Sequence, residues 1–134
     1  MLRKICMTAM VLSIAGVANA TDYLSASGET LFGKFCASCH GTDARGHGPV
    51  AKYMKAVPAD LTRIAQRRGG KFPAEQIEKI IDGRIVIGAH GTRAMPIWGE
   101  ELTRQQIGEP EAERGTRIVI ERIVEYLRGI QSSQ

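Results

Sequence analysis

Two cysteines and a histidine form the most chemically distinctive cluster in this 134-residue chain. In the stretch "KFCASCHGT", residues 34–42, Cys36 and Cys39 stand three residues apart, and His40 follows directly. Thiol and imidazole groups at this spacing could bind a structural zinc ion, form a redox-active dithiol, close a disulfide or attach a haem. The rest of the sequence has to discriminate among these four chemistries.

Three of the four find little support elsewhere in the chain. A structural zinc site needs four ligands, and His47 and His90 form no paired spacing that could complete one. A thioredoxin-like dithiol stands at the head of a helix that follows a strand, whereas here a predicted helix runs up to the cysteines. A disulfide between cysteines three residues apart would close a tiny loop of little entropic value.

The fourth chemistry uses every residue of the cluster. Cys-x-x-Cys-His is the attachment signature of c-type haem. On a helical turn, the cysteines point the same way, so both thiols can add to the two vinyl groups of one haem. The adjacent histidine can then ligate the iron. We therefore expect one covalently bound haem c per chain, attached through Cys36 and Cys39, with His40 as the proximal axial ligand.

A ligand for the opposite face of the iron has four candidates: His47, Met54, His90 and Met95. The first two follow His40 closely, which is tight for a chain that must pass around a haem. Met95 lies much further along, in "AHGTRAMPIWGEEL", where Pro96 stiffens the backbone directly after it. We predict Met95 as the second axial ligand, with His90 as the rival; a buried, gap-filling methionine is the non-functional alternative.

The N-terminus has the pattern of a secretory signal peptide. Arg3 and Lys4 precede an apolar run over residues 5–18, and Ala18-Asn19-Ala20 fits the small-x-small cleavage pattern. The run is shorter than the ~20 residues that a membrane-spanning helix needs. We expect residues 1–20 to be removed, together with Cys6, and residues 21–134 to form one domain in the periplasm. An uncleaved membrane anchor is the alternative.

Composition limits the other possibilities. The formal net charge is +4, and loss of Arg3 and Lys4 would leave +2, which is too weak to indicate nucleic-acid binding. Only 5% of the residues are aromatic, so a core built from protein alone would be marginal. A large bound apolar group would help to complete such a core.

The apolar periodicity predicts helices and loops without strands. Ser25 or Ser27 caps a first helix, Asp60 caps a short one through Arg68, and Pro73 begins a third that stops at Asp82-Gly83. One helical turn is expected near residues 50–55, and the last helix runs from about Arg114 to Ile130. The residues expected on the buried faces are Leu31, Phe32, Phe35, Cys36, Ile77, Ile80, Ile81, Ile120, Ile123, Val124, Leu127 and Ile130.

"CASCHG" and "MPIWG", placed between an N-terminal and a C-terminal helix, resemble the monohaem class I c-type cytochromes of bacterial periplasms. The resemblance covers residues 25–130 and implies an all-α fold of four to five helices wrapped round one covalently attached haem. It also implies that the terminal helices cross at near right angles. Gly28 and Phe32 would meet Ile123 and Tyr126 at that crossing.

The resemblance assigns further residues to the haem surroundings. It implies that the carbonyl of Pro49 accepts a hydrogen bond from the other ring nitrogen of His40. Arg84 and Trp98 are possible donors to a haem propionate, although Trp98 would serve equally well in core packing. Residues 99–113 depart from the family pattern as a longer, acidic connection, either a partner-docking element or a surface loop.

These expectations define a periplasmic one-electron carrier with His/Met ligation, and not an enzyme. Its partners would be redox proteins, with a dehydrogenase as donor and an oxidase or reductase as acceptor. It would contact a membrane only through a retained signal segment. The runner-up is a dedicated haem c subunit of a larger dehydrogenase or oxidase complex. A haem sensor or peroxidase with an open iron site ranks lower, and a zinc or binding module ranks last.

Overall fold

The computed structural model describes residues 23–85, 99, 101–102 and 111–132, with only the backbone described at 111 and 112. The regular elements among these residues are all helices, with no strand, which confirms the predicted all-α class. The α-helices are α1, Gly28–Phe35; α2, Ala37–His40; α3, Ala74–Ile81; and α4, Glu111–Gly129. Short 3₁₀ helices span Ala51–Tyr53, Leu61–Arg63 and Gln66–Arg68. The predicted signal segment and its boundary at residue 20 lie outside the described residues.

Helix α1 begins with the predicted serine cap. The Ser27 hydroxyl accepts a hydrogen bond from the Thr30 backbone N–H at 3.1 Å, which satisfies one of the unpaired donors of the first turn. Glu29 in the first turn and Lys34 in the last both complement the helix dipole. The predicted apolar face, Leu31, Phe32 and Phe35, is buried.

Helix α4 provides the other half of the core. Its predicted apolar face is confirmed, because Ile120, Ile123, Val124 and Leu127 are buried and Ile130 packs partly against them. The helix begins at Glu111, three residues before the predicted start. Its first turn contains none of the regularly spaced apolar residues that predicted this helix, so their spacing could not locate the helix start. None of the helices that the structure describes is long and apolar enough to cross a membrane.

The predicted contact between the terminal helices is confirmed. Phe32 of α1 and Tyr126 of α4 lie with their ring centroids 5.3 Å apart, and Ile123 is buried in the same core cluster. Gly28 packs directly on the α4 backbone. A methyl group at Gly28 would lie 2.8 Å from Tyr126 Cβ and would overlap the Arg122 carbonyl oxygen. A residue without a side chain is therefore required at this position.

Between the terminal helices, the short elements follow the predicted caps. Asp60 caps the first of two 3₁₀ helices, which replace the single helix predicted up to Arg68, and Gly69 ends them in a left-handed conformation. Helix α3 starts at Ala74 with Pro73 as its N-cap residue, one position later than predicted. Of its three predicted apolar residues, Ile81 is buried, and Ile77 packs partly against the core.

The acidic connection over residues 99–113 takes part in the core. Leu102 is only 1% exposed and joins the main hydrophobic cluster. Gly99 is buried against the last turn of α3, where a methyl group would overlap the Asp82 carboxylate. This part of the connection is therefore a packed element, and it is not the plain surface loop that one of the two sequence interpretations allowed.

Gly28→Ala should destabilise the protein by about 1–3 kcal/mol, because the added methyl group forces α1 away from α4. Gly33→Ala is the matched control on the same helix, since a Cβ there meets nothing within 4 Å. That change should stabilise the protein by about 0.5–1 kcal/mol through helix propensity. Urea unfolding of both variants measures the difference. Equal unfolding midpoints would contradict a close contact at Gly28.

Candidate haem site

The Cys-x-x-Cys-His motif begins at a one-residue interruption between two helices. Helix α1 ends at Phe35, Cys36 adopts φ −118° and ψ −34°, and the single turn of α2 follows. The Cys36 carbonyl accepts hydrogen bonds from the Cys39 N–H at 3.2 Å and the His40 N–H at 2.9 Å. The three predicted site residues therefore lie on one compact turn. Helix α1 runs up to the first cysteine, as predicted, and the interruption at Cys36 places the rest of the motif on a separate turn.

The two thiols are unbridged and half-buried. Burial, with a smaller contribution from the neighbouring Cys39, raises the pKa of Cys36 to about 12. Cys36 is therefore a protonated thiol near neutral pH and lacks the thiolate character of a redox-active dithiol. Within the part of the chain that the structure describes, no group of three or more side chains could hold a metal ion by itself.

His40 is buried and held in one orientation. Its Nδ1 lies 3.0 Å from the carbonyl oxygen of Ala59. A carbonyl can only accept, so Nδ1 carries a proton; in the neutral form of the ring the lone pair then lies on Nε2, the nitrogen that can ligate a metal. A bond of this kind orients an imidazole ligand and raises its basicity.

Ala59 takes the role that the resemblance assigned to Pro49, and this corrects that expectation. Pro49 lies in the loop that packs along the end of α2, where the N–H groups on either side of it bond to the α2 backbone. A backbone carbonyl leaves no signature in a sequence. Two neighbouring residues mark the Ala59 segment as ordered: Pro58, which is buried, and the capping residue Asp60. A position for Pro49 elsewhere in the haem surroundings stays a prediction.

The loop after the motif fixes the motif turn. Its N–H groups reach back to the last three carbonyls of α2 in reverse order: Gly46 to His40 at 2.7 Å, Gly48 to Cys39 at 3.0 Å and Val50 to Ser38 at 3.0 Å. These bonds satisfy carbonyls that the helix end leaves unpaired. Gly48 permits the approach, since a methyl group there would lie 2.6 Å from the Ala37 carbonyl oxygen.

The segment that carries Ala59 is fixed in turn. The Asp60 carboxylate accepts hydrogen bonds from the Thr62 N–H at 2.9 Å and the Thr62 hydroxyl at 2.6 Å. The Leu61 N–H donates to the carbonyl of Ala44, a fully buried residue of the loop after the motif, at 2.7 Å. The loop thus positions both His40 and the carbonyl that His40 contacts.

The remaining predicted site residues either lie outside the Cys-x-x-Cys-His turn or are not among the residues that the structure describes. The Arg84 guanidinium pairs with Asp82 just after α3, and its side chain is 64% exposed. His47 is exposed and Met54 is half-buried. The predicted axial ligand Met95, its rival His90, and Trp98 lie outside the described residues, so their roles stay predictions.

Comparison with known proteins identifies the family. The profile of the family described as cytochrome c oxidase, cbb3-type, subunit III, matches residues 24–109, more than half of the chain. The chain belongs to this family. No curated protein and no solved structure gave a significant match.

Membership of a c-type cytochrome family confirms the sequence-based resemblance and gives the site its cofactor. A cytochrome c domain binds haem c and exchanges electrons with redox partners. The residues of this chain fit that group. Two half-buried thiols lie on a turn that ends in a buried histidine with Nδ1 protonated, so the turn offers two groups that could attach a haem and one nitrogen that could ligate its iron.

The Asp60 cap predicts an acid-sensitive contribution to stability. Partial burial alone would raise the pKa of Asp60, but the Thr62 hydrogen bonds, together with Arg63 and Arg45, bring it below its ordinary 3.8. A carboxylate with a lowered pKa stabilises the fold above its unfolded-state pKa. That contribution is lost as pH falls below about 3.8 and through the folded-state value.

Asp60→Ala should therefore cost about 1 kcal/mol at pH 7, the usual effect of losing an N-cap, and less below pH 3. Urea unfolding of wild type and variant at both pH values measures the difference. Glu121→Gln, at an exposed position on α4, is the control for general loss of a negative charge. A cost for Asp60→Ala that does not change with pH would contradict the charged cap.

Proposed function

We propose that this chain is an exported one-electron carrier with one covalently attached haem c, ligated by His40 and Met95. The observation that carries the proposal is the hydrogen bond between His40 Nδ1 and the Ala59 carbonyl, beside two unbridged thiols on the same turn. That bond orients the imidazole and leaves Nε2 as the ligating nitrogen. Family membership independently supports haem c as the group.

Each residue of the motif has a distinct role in this proposal. The Cys36 and Cys39 thiols would hold the haem by addition to its two vinyl groups, each sulfur bonding to one vinyl carbon and its proton going to the neighbouring carbon. His40 and Met95 would ligate the iron and leave no open site for substrate. A bound haem would supply the one-electron chemistry.

The N-terminal pattern supports export to the periplasm with removal of residues 1–20. Covalent attachment suits that location, because a haem held by two thioether bonds is not lost by dissociation. A dehydrogenase as donor and an oxidase or reductase as acceptor would meet the protein through small, short-lived interfaces, below about 1,200 Å².

A second candidate function is a permanent haem c subunit of a larger complex. The description of the matching family, an oxidase subunit, supports this candidate. The two functions share the same haem site and electron-transfer chemistry. They differ in whether the chain leaves its partner between turnovers.

Met95→Ala tests the axial ligand directly. The oxidised wild-type protein should show the weak methionine–iron absorption near the red end of the visible spectrum, and the variant should lose it. The reduced variant should also bind CO rapidly, because one axial position is then open. Met54→Ala and His90→Ala are the controls and should retain the wild-type spectrum. Survival of the absorption band in Met95→Ala would exclude Met95 as the ligand.

Size-exclusion chromatography of the native protein, followed by its Soret absorbance, separates the two functions. A free carrier should elute at the size of a single 14.6 kDa chain or smaller, after loss of the signal segment. A stable, stoichiometric complex with other proteins would contradict the free carrier and support the subunit. Complete absence of Soret absorbance in the purified protein would contradict both.

A further inference from the structure

The carbonyl that contacts His40 is the first of four consecutive carbonyls that are all bonded. Their donors come from three parts of the described structure: α2, the third 3₁₀ helix and the residues after α4. The Ala59 carbonyl accepts from His40 Nδ1 at 3.0 Å, and the Asp60 carbonyl accepts from Arg67 Nη2 at 2.8 Å. The Leu61 carbonyl accepts from Gln131 Nε2 at 2.9 Å, and the Thr62 carbonyl accepts from the Ser132 N–H at 2.8 Å. The orientation of each peptide unit in residues 59–62 is therefore tied to its neighbours, because consecutive planar peptides share their Cα atoms.

Gln131 makes the most extensive of these connections. Its amide group lies just beyond the C-terminal end of α4 and is partly buried. The Nε2 group donates to Leu61 and, at 2.6 Å, to the Leu127 carbonyl in the last turn of α4. Its Oε1 accepts from the Ala65 N–H at 2.8 Å. One side chain thus connects the end of the C-terminal helix to the start of the first 3₁₀ helix after Ala59 and to Ala65, the N-cap residue of the next.

We propose that Gln131 is a positioning residue for the proximal ligand and that it sets the reduction potential through the His40–Ala59 hydrogen bond. The inference rests on the proposed haem site with His40 as ligand. Gln131 holds the Leu61 carbonyl, two residues after Ala59, and so limits rotation of the peptide whose oxygen accepts from His40. The exposed Arg67 bond restrains the same segment less, since water competes with it.

The direction of the effect follows from the ligand chemistry. A close acceptor at Nδ1 increases electron density on the imidazole and raises its basicity, which favours the oxidised iron. When the Leu61 and Ala65 contacts are lost, the Ala59 carbonyl gains freedom and its bond to His40 weakens. The reduction potential of the iron should then rise.

The test compares haem-loaded wild type with Gln131→Met, which keeps the length of the side chain but removes its donor and acceptor. The potential measured by spectroelectrochemical titration should shift upward. Exchange of the His40 Nδ1 proton with solvent, followed by NMR, should accelerate about tenfold, as expected when a segment loses a net hydrogen bond. Gln131→Asn, whose amide is too short to reach both Leu61 and Ala65, should shift both quantities in the same direction and provides a second variant if Gln131→Met folds poorly.

Two controls separate positioning from general destabilisation. Gln66→Met makes the same chemical change at an exposed position next to the segment and should leave the potential and the exchange rate unchanged. Gly28→Ala loosens the distant α1–α4 crossing and should lower stability without moving the potential. A wild-type potential and exchange rate in both Gln131 variants would overturn the inference, as would an equal shift in Gly28→Ala. Absence of a Soret band in wild type would instead overturn the haem site itself.

Discussion

The hydrogen bond from His40 to the Ala59 carbonyl is the constraint on which the rest of the site depends. A neutral imidazole can ligate iron through one nitrogen only if its proton is on the other, and a carbonyl acceptor favours that arrangement. The loop over residues 41–58 makes hydrogen bonds to both segments that form this bond, the one that carries His40 and the one that carries Ala59. It caps the carbonyls of the motif turn, and its Ala44 carbonyl receives the N–H of Leu61 beside Ala59.

The terminal helices supply the frame that carries this bond. Helix α1 leads directly into the motif, and the end of α4 reaches the segment after Ala59 through Gln131 and Ser132. Close packing at Gly28 joins the two helices. The proximal ligand and its acceptor are therefore held by elements that belong to one core.

The short elements show where local sequence and tertiary packing compete. Caps at Ser27 and Asp60 formed as predicted, because a side chain that bonds an N–H two or three residues away acts within its own segment. The helix predicted up to Arg68 became two 3₁₀ turns instead. The Leu61, Thr62 and Ala65 backbone groups there bond to residues 131 and 132, so contacts distant in sequence decided their geometry.

The amino-acid sequence by itself determined the chemistry: the two thiols, the histidine, the all-α class and the apolar faces of α1 and α4. These depend on residue type and local spacing, which periodicity and motif rules can detect. Only the tertiary structure decided the acceptor of His40, the break at Cys36, the burial of Leu102 and the contacts of Gln131. Each of these rests on backbone groups or on residues far apart in the chain. A backbone carbonyl is common to all residues, so its role is decided by where the fold places it.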